Sequence, residues 1–242
     1  MTEITAGNTP AHRTGCMVCG KPLRYLETPE KRECAYCHEV RPTNTVCTDG
    51  HFVCDRCHQL GADDAIEQYC VKTEETDPIR MAITLMQNPV VNMHGPEHHF
   101  LVPAVLLAAY CNIVGTKDKK AKLIATARER AGMIKGGSCG FMGDCGAAVG
   151  TGIFISLVTG ATPLSHREWQ QANLVVAKSL MTVALHGGPR CCKRNTFLAI
   201  QGAVAFTEEN LGVKIPIDPK VSCMFYGMNK ECRTTDCPFY PR

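Results

Sequence analysis

The sequence predicts a mainly α-helical protein, with a helical bundle-like domain preceded by a small zinc-ribbon or treble-clef module. Three observations predict it. Cysteine and histidine at metal-ligand spacing crowd residues 16–57. Beyond residue 89, apolar residues recur at helical intervals, glycines punctuate the ends, and no convincing alternating strand occurs. Sixteen cysteines fall in close groups, which suits metals rather than long-range disulfides, and the N-terminus MTEITAGNTPAHRTG is too polar for a secretory signal. The expected division is a zinc-binding module (1–60), a helical linker (61–88) and an α-helical cysteine-rich domain (89–242).

A chain of 242 residues can build one sizeable core plus an appended module. Hydrophobic residues make up 45% and charged residues 20%, as in ordinary globular proteins. Twenty-six basic against 23 acidic residues leave a formal charge of +3 without any long Lys/Arg tract, so no nucleic-acid or membrane partner is expected. The longest apolar stretch, Phe100 to Val114, contains Pro103 and Asn112 and falls short of the roughly 18 residues of a spanning helix. A cytoplasmic protein is the expectation.

In the module, Cys16-x2-Cys19, Cys34-x2-Cys37, Cys47-x3-His51 and Cys54-x2-Cys57 follow one another. A C-x2-C turn aims two thiolates at one ion, and two such turns complete a tetrahedral zinc site. The expected ligands are therefore Cys16, Cys19, Cys34, Cys37, Cys47, His51, Cys54 and Cys57, with His58 a substitute for His51. Sequential pairing joins Cys16, Cys19, Cys34 and Cys37 on one ion and Cys47, His51, Cys54 and Cys57 on the other. It needs the shortest loops and is preferred over a cross-brace. The pattern CTDGHFVCDRC is similar to the core of RING-like and treble-clef fingers. So short a segment buries too little apolar surface to fold unaided, and metal binding supplies the missing free energy. A structural role follows.

The linker reads as short helices broken at Lys72–Pro78, with Met81, Ile83, Thr84 and Met86 beginning the next core. Five longer helices are expected over about Pro96–Val114, Lys117–Ile134, Asp144–Thr159, Ser165–Leu185 and Cys191–Leu211. Gly146-x3-Gly150 would let another helix approach closely. Cys70 and Cys111 read as buried apolar residues.

A second cysteine set carries the candidate chemistry. Cys139 and Cys145 lie in GGSCGFMGDCGAAVG, and Cys191 and Cys192 in GGPRCCKR, each loop leading into a helix. Helix N-termini favour thiolates and anions. Lys193 and Arg194 could offset a negative cluster or attract an anionic substrate. The tail adds Cys223, Cys232 and Cys237, the last followed by proline as in ferredoxin ligation. These seven could hold one [4Fe–4S] cluster with spare thiols, or two metal sites, with a third zinc site in the tail as the alternative. His94-Gly-Pro-Glu97-His98-His99 opens the first long helix. It contains H-x-x-E-H, but Gly95-Pro96 marks a helix start rather than the helix interior an inverted zinc protease needs. Glu97, His98 and His94 are the acid–base candidates.

HGPEHHFLVPAVLLAAY, GGSCGFMGDCGAAVGTGIF, GGPRCCKR and ECRTTDCPFY, with CMVCGKPL and CTDGHFVCDRCH, together resemble a domain-of-unknown-function family of anaerobic bacteria and archaea. Its members occur alone or attached to radical-SAM or SAM-dependent methyltransferase domains. The resemblance implies anaerobic metallochemistry near methyl or radical transfer, and a methyltransferase or radical-SAM partner. Two functions are expected from residues and resemblance together. The first is zinc and iron–sulfur binding in redox, sulfur or methyl-group chemistry on a small substrate. The second is an accessory protein that docks on, or delivers metal or sulfur to, such a partner. SGGxDS, G-x4-G-K-[ST] and C-x3-C-x2-C are absent from the sequence, which argues against ATP-dependent sulfur transfer to RNA and against a radical-SAM enzyme of the usual kind.

Overall fold

The computed structural model describes residues 16–19, 21–54, 57 and 61–242; His58 lies outside the described residues. The N-terminal part is an antiparallel two-stranded ribbon, β1 (Leu23–Glu33) and β2 (Val40–Cys47). Its register runs from Leu23 opposite Cys47 to Glu33 opposite Val40, with an irregularity between Tyr25 and Glu30. Most ribbon residues are exposed, and the buried side chains around it are chiefly cysteines, with Val18, Tyr36 and Val46.

Eight helices follow among the described residues: α1 (Ala62–Lys72), α2 (Pro78–Gln87), α3 (Glu97–Val114), α4 (Lys117–Ala131), α5 (Ser138–Phe141), α6 (Gly146–Thr159), α7 (Arg167–Leu185) and α8 (Cys192–Leu211). Local signals set their ends. Asp77 accepts hydrogen bonds from the Ile79 and Arg80 amides and Pro78 takes the first helical position, so α2 starts there. Gly115, Gly160 and Gly212 close α3, α6 and α8 in the left-handed conformation. The second long helix ends at Ala131 before Gly132, one turn short of the expected Ile134.

Helix α3 is the core. Phe100, Leu101, Val102 and the run from Ala104 to Ala109 are all buried, and α1, α2, α4, α6 and α8 pack around it. A helix apolar on every face is stable in water only when surrounded. With Glu97–His99 added to the apolar stretch Phe100–Val114, α3 reaches 18 residues and is long and apolar enough to cross a membrane by length and composition. Of its residues, 72% are instead buried against the protein's own helices.

Close approach of α6 to α3 depends on glycine. A side chain at Gly146 would overlap the His99 ring, and a Cβ at Gly150 would lie 2.8 Å from Pro103 Cδ and 3.0 Å from the His99 carbonyl. Pro103 has no N–H to donate to that carbonyl four residues earlier. Cys70 and Cys111 are fully buried, as expected of apolar cysteines. Of the residues expected to begin the core, Met81 and Met86 are buried while Ile83 and Thr84 are half-buried. Ala82 and Leu85 complete the inner face of α2.

The ribbon sits on α1. Lys72 Nζ bonds Glu39 at 2.8 Å, the His38 and Tyr69 rings lie 5.7 Å apart, and Cys57 Sγ is 3.8 Å from Gln68 Oε1. The polar segment before α2 is held by the buried Lys120, whose Nζ donates to the Thr73 carbonyl at 2.8 Å, and by the half-buried Asn112, whose Nδ2 donates to the Glu75 carbonyl at 2.8 Å.

Candidate metal centres and the thiol cleft

The N-terminal ligands form two quartets, and their pairing corrects the sequential one. Cys16, Cys19, Cys47 and His51 form one group, and Cys34, Cys37, Cys54 and Cys57 the other, with all ligand atoms in each within 4.8 Å of one another. The ribbon is the reason. Antiparallel pairing sets Leu23 beside Cys47, which carries the residues before β1 to those after β2. Cys34 and Cys37 lie in the connection between the strands, and the chain after β2 returns to them. Ala35 N donates to the Phe52 carbonyl at 2.8 Å and Cys54 N to Cys34 Sγ at 3.4 Å.

Sulfur spacing suits single ions. Cys19 and Cys47 Sγ are 3.4 Å apart and Cys37 and Cys54 Sγ 3.8 Å. Thiolates bound tetrahedrally at about 2.3 Å stand about 3.8 Å from each other. Burial pushes the Cys16 thiol up to about 11 and that of Cys57 further, so neither is a thiolate by exposure to solvent. A cation is what deprotonates such a thiol. His51 Nδ1 is buried without a hydrogen-bond partner.

The seven cysteines of the second set divide into a quartet, a pair and one apart. Cys191, Cys223, Cys232 and Cys237 line one narrow pocket. The tail reaches it because Phe225 and Phe239 are buried, with the Phe239 ring edge-on to Phe197 of α8 at 5.3 Å. Cys223 N also donates to the Phe239 carbonyl at 2.7 Å. This quartet does not reach the single-ion spacing of the N-terminal groups. Amide donors face its sulfurs: Arg194 N lies 3.5 Å from Cys191 Sγ, Asn229 Nδ2 3.6 Å from the same atom, and Thr234 N 3.4 Å from Cys232 Sγ. Burial raises the Cys191 and Cys223 thiols above their ordinary range.

Cys139 and Cys145 instead line an adjoining open cleft of about 540 Å³, walled by the glycine-rich α5–α6 loop, the end of α7 and the Gly187–Arg190 loop. Asn195 Nδ2 donates to Cys145 Sγ at 3.4 Å. Arg194 and Glu231 line both spaces. Cys192 belongs to neither lining. Its sulfur accepts from the Gly95 amide, and burial pushes the thiol up to about 11.

The two basic residues after Cys192 are buried and engaged. Lys193 Nζ donates to the Asn92 carbonyl at 2.9 Å and lies 5.1 Å from the Phe225 ring centre. Arg194 Nη2 donates to the Gly187 and Pro189 carbonyls at 2.7 and 3.2 Å, fixing the loop between α7 and α8.

The acid–base candidates do not converge on one cavity. His94 Nε2 stands 3.1 Å from Asn229 Oδ1 and 3.3 Å from Glu231 Oε2, so it backs the asparagine that faces Cys191. Glu97 Oε1 accepts from the Asn92 amide at 2.7 Å, and Glu97 lines a separate cavity with Asp63, Asp64 and Arg128. His98 is buried in the core; Nδ1 donates to the Gly95 carbonyl at 3.2 Å and Nε2 has no partner.

His98 gives a pH prediction. Burial, with the Lys193 ammonium nearby, holds it well below the ordinary 6.5, so the folded chain keeps it neutral while the unfolded chain binds a proton below about pH 6.5. Its stabilising contribution is therefore complete above that pH and is lost as pH falls, at up to about 1.4 kcal/mol per pH unit. Urea unfolding of His98→Asn, which keeps a donor and removes the titration, should fall less steeply with pH than wild type between pH 6.5 and 5. Parallel curves would contradict it.

Asn195 and Asn229 lie in no motif, and Arg190 and Glu231, though inside GGPRCCKR and ECRTTDCPFY, received no role from the sequence alone. Asn195 and Asn229 stand close to cysteines in the chain, three residues after Cys192 and three before Cys232, and that proximity is their only signal.

These features define a mainly helical, cysteine-rich protein with two groups of residues that could each hold a metal ion. The chain belongs to DUF5714, a family of unknown function, whose model matches residues 66–240. The match begins inside α1, so it takes in the seven cysteines of the second set and leaves both N-terminal quartets outside. No curated protein and no solved structure matches the chain.

Proposed function

We propose that this is a zinc and iron–sulfur redox protein of anaerobic sulfur or methyl-group chemistry, acting on a small substrate held in the cleft. The observation that carries this reading is the convergence of Cys191, Cys223, Cys232 and Cys237 on one pocket beside a cleft bearing two further thiols. Zinc suits the N-terminal quartets, because three thiolates with an imidazole, or four thiolates, at single-ion spacing form a closed structural site. The wider all-sulfur quartet suits a [4Fe–4S] cubane, in which each thiolate binds its own iron. Amide donors to the sulfurs and the Arg194 guanidinium would offset the negative charge of such a cluster. The cluster would supply one-electron transfer to the adjoining cleft.

Metal and acid-labile sulfide content after anaerobic purification tests this. About two zinc ions, four irons and four sulfides per chain are expected. Cys191→Ala should lose iron and sulfide with zinc retained, whereas Cys192→Ala should retain both, since its thiol turns to the Gly95 amide. A third zinc ion, or a preparation without iron, would overturn the iron–sulfur reading. A non-catalytic accessory protein for a methyltransferase or radical-SAM partner would then take its place.

A further inference from the structure

The cleft beside the quartet has a composition that specifies a ligand class. Its volume of about 540 Å³ falls in the range of small-molecule sites. One wall is apolar, with Phe141, Leu180 and Val183, and the Cys139 and Cys145 thiols line it as well. The charged groups facing it are Arg190, Arg194 and Glu231. The Glu231 carboxylate lies 3.3 Å from His94, and the Arg194 guanidinium is engaged by the Gly187 and Pro189 carbonyls. Arg190 is the exposed cation at the mouth. Cys145 is held at the wall by Asn195, itself 5% exposed and donating to the sulfur at 3.4 Å.

We infer that the cleft binds a small anionic disulfide, with Arg190 taking the anionic end and Cys145 exchanging with one of its sulfurs. This rests on the proposed function only in taking the cleft as the substrate site. In the exchange, the Cys145 thiolate attacks one sulfur of the disulfide, a Cys145–substrate S–S bond forms and the substrate S–S bond breaks. The departing thiolate leaves with the bonding pair and takes the proton that Cys145 gave up. No external oxidant or reductant is needed. The apolar wall accommodates the alkyl chain between anion and sulfur, and the anion requirement separates this ligand class from neutral disulfides.

Paired charged reagents test it on the full chain purified anaerobically with its metals. Sulfonatoethyl and trimethylammonioethyl methanethiosulfonate transfer the same kind of RS group to a thiolate and release methanesulfinate, but carry opposite charges. Labelling rates at Cys145 would be read by mass spectrometry of its peptide at low ionic strength. The anionic reagent should label Cys145 at least about fivefold faster than the cationic one, and Arg190→Gln should reduce that ratio several-fold. Arg167→Gln, an exposed arginine outside the cleft lining, should leave the ratio unchanged. Equal rates for the two reagents, a ratio unaltered in Arg190→Gln, or no labelling of Cys145 would each overturn the inference. Iron content of the same samples reports separately on the cluster, so either reading can fail while the other stands.

Discussion

Replacing Cys19 and Cys47 together by serine should remove one zinc ion per chain, whereas replacing Cys19 and Cys34 together should remove both. The structure puts Cys19 and Cys47 in one quartet and Cys34 in the other. Sequential pairing would give the opposite result. The effect should be large, because structural zinc in small fingers contributes about 10–16 kcal/mol of apparent binding free energy that is also folding free energy. The ribbon has little else to hold it, since most of its side chains are exposed. Cobalt substitution gives a second reading where loss of one ion loosens the other site. The two quartets differ in donors, three thiols with an imidazole against four thiols. Cys19→Ser should therefore alter the absorption of the imidazole-bearing site and spare that of the all-thiol site.

Gly150→Leu should lower the stability of the helical domain by about 3 kcal/mol, a fall in Tm of about 6–12 °C. A glycine inside a helix ordinarily costs about 1 kcal/mol relative to alanine, so substitution there would stabilise an uncrowded site. At Gly150 the neighbours are a proline ring and a backbone carbonyl, at 2.8 and 3.0 Å from an added Cβ, and neither can rotate away. The α3–α6 contact would have to open. Gly136→Ala, with no atom within 4 Å of its Cβ, should be nearly neutral. Thermal unfolding followed by far-UV circular dichroism distinguishes the two; equal midpoints would show that α3 and α6 tolerate wider spacing.

Much of the site was legible because its donors are rare residue types at fixed local spacing. All eight N-terminal residues that could hold metal were readable from C-x2-C and C-x3-H turns, since a knuckle is complete within four or five residues. Four helix ends, Val114, Thr159, Leu185 and Leu211, lie where the sequence put them, and three of them are followed by a glycine in the left-handed conformation. Histidines and a carboxylate gathered in HGPEHH suggested a single acid–base site. The chain direction at a helix start sends them apart: His94 to the tail, Glu97 to the Asp63 cavity and His98 into the core.

By itself the sequence determined which residues could ligate, roughly where the longer helices lie, and that α3 beyond its first turn is mostly apolar. Those properties depend on side-chain chemistry and on contacts within a few residues. Tertiary structure alone decided the partners. Metal pairing followed from the antiparallel register of the ribbon, which overrode the economy of short loops. The division of seven cysteines into a pocket quartet, a cleft pair and Cys192 followed from the tail folding onto α8 through Phe225 and Phe239. Both outcomes depend on distances between segments remote in the chain, which local spacing does not encode.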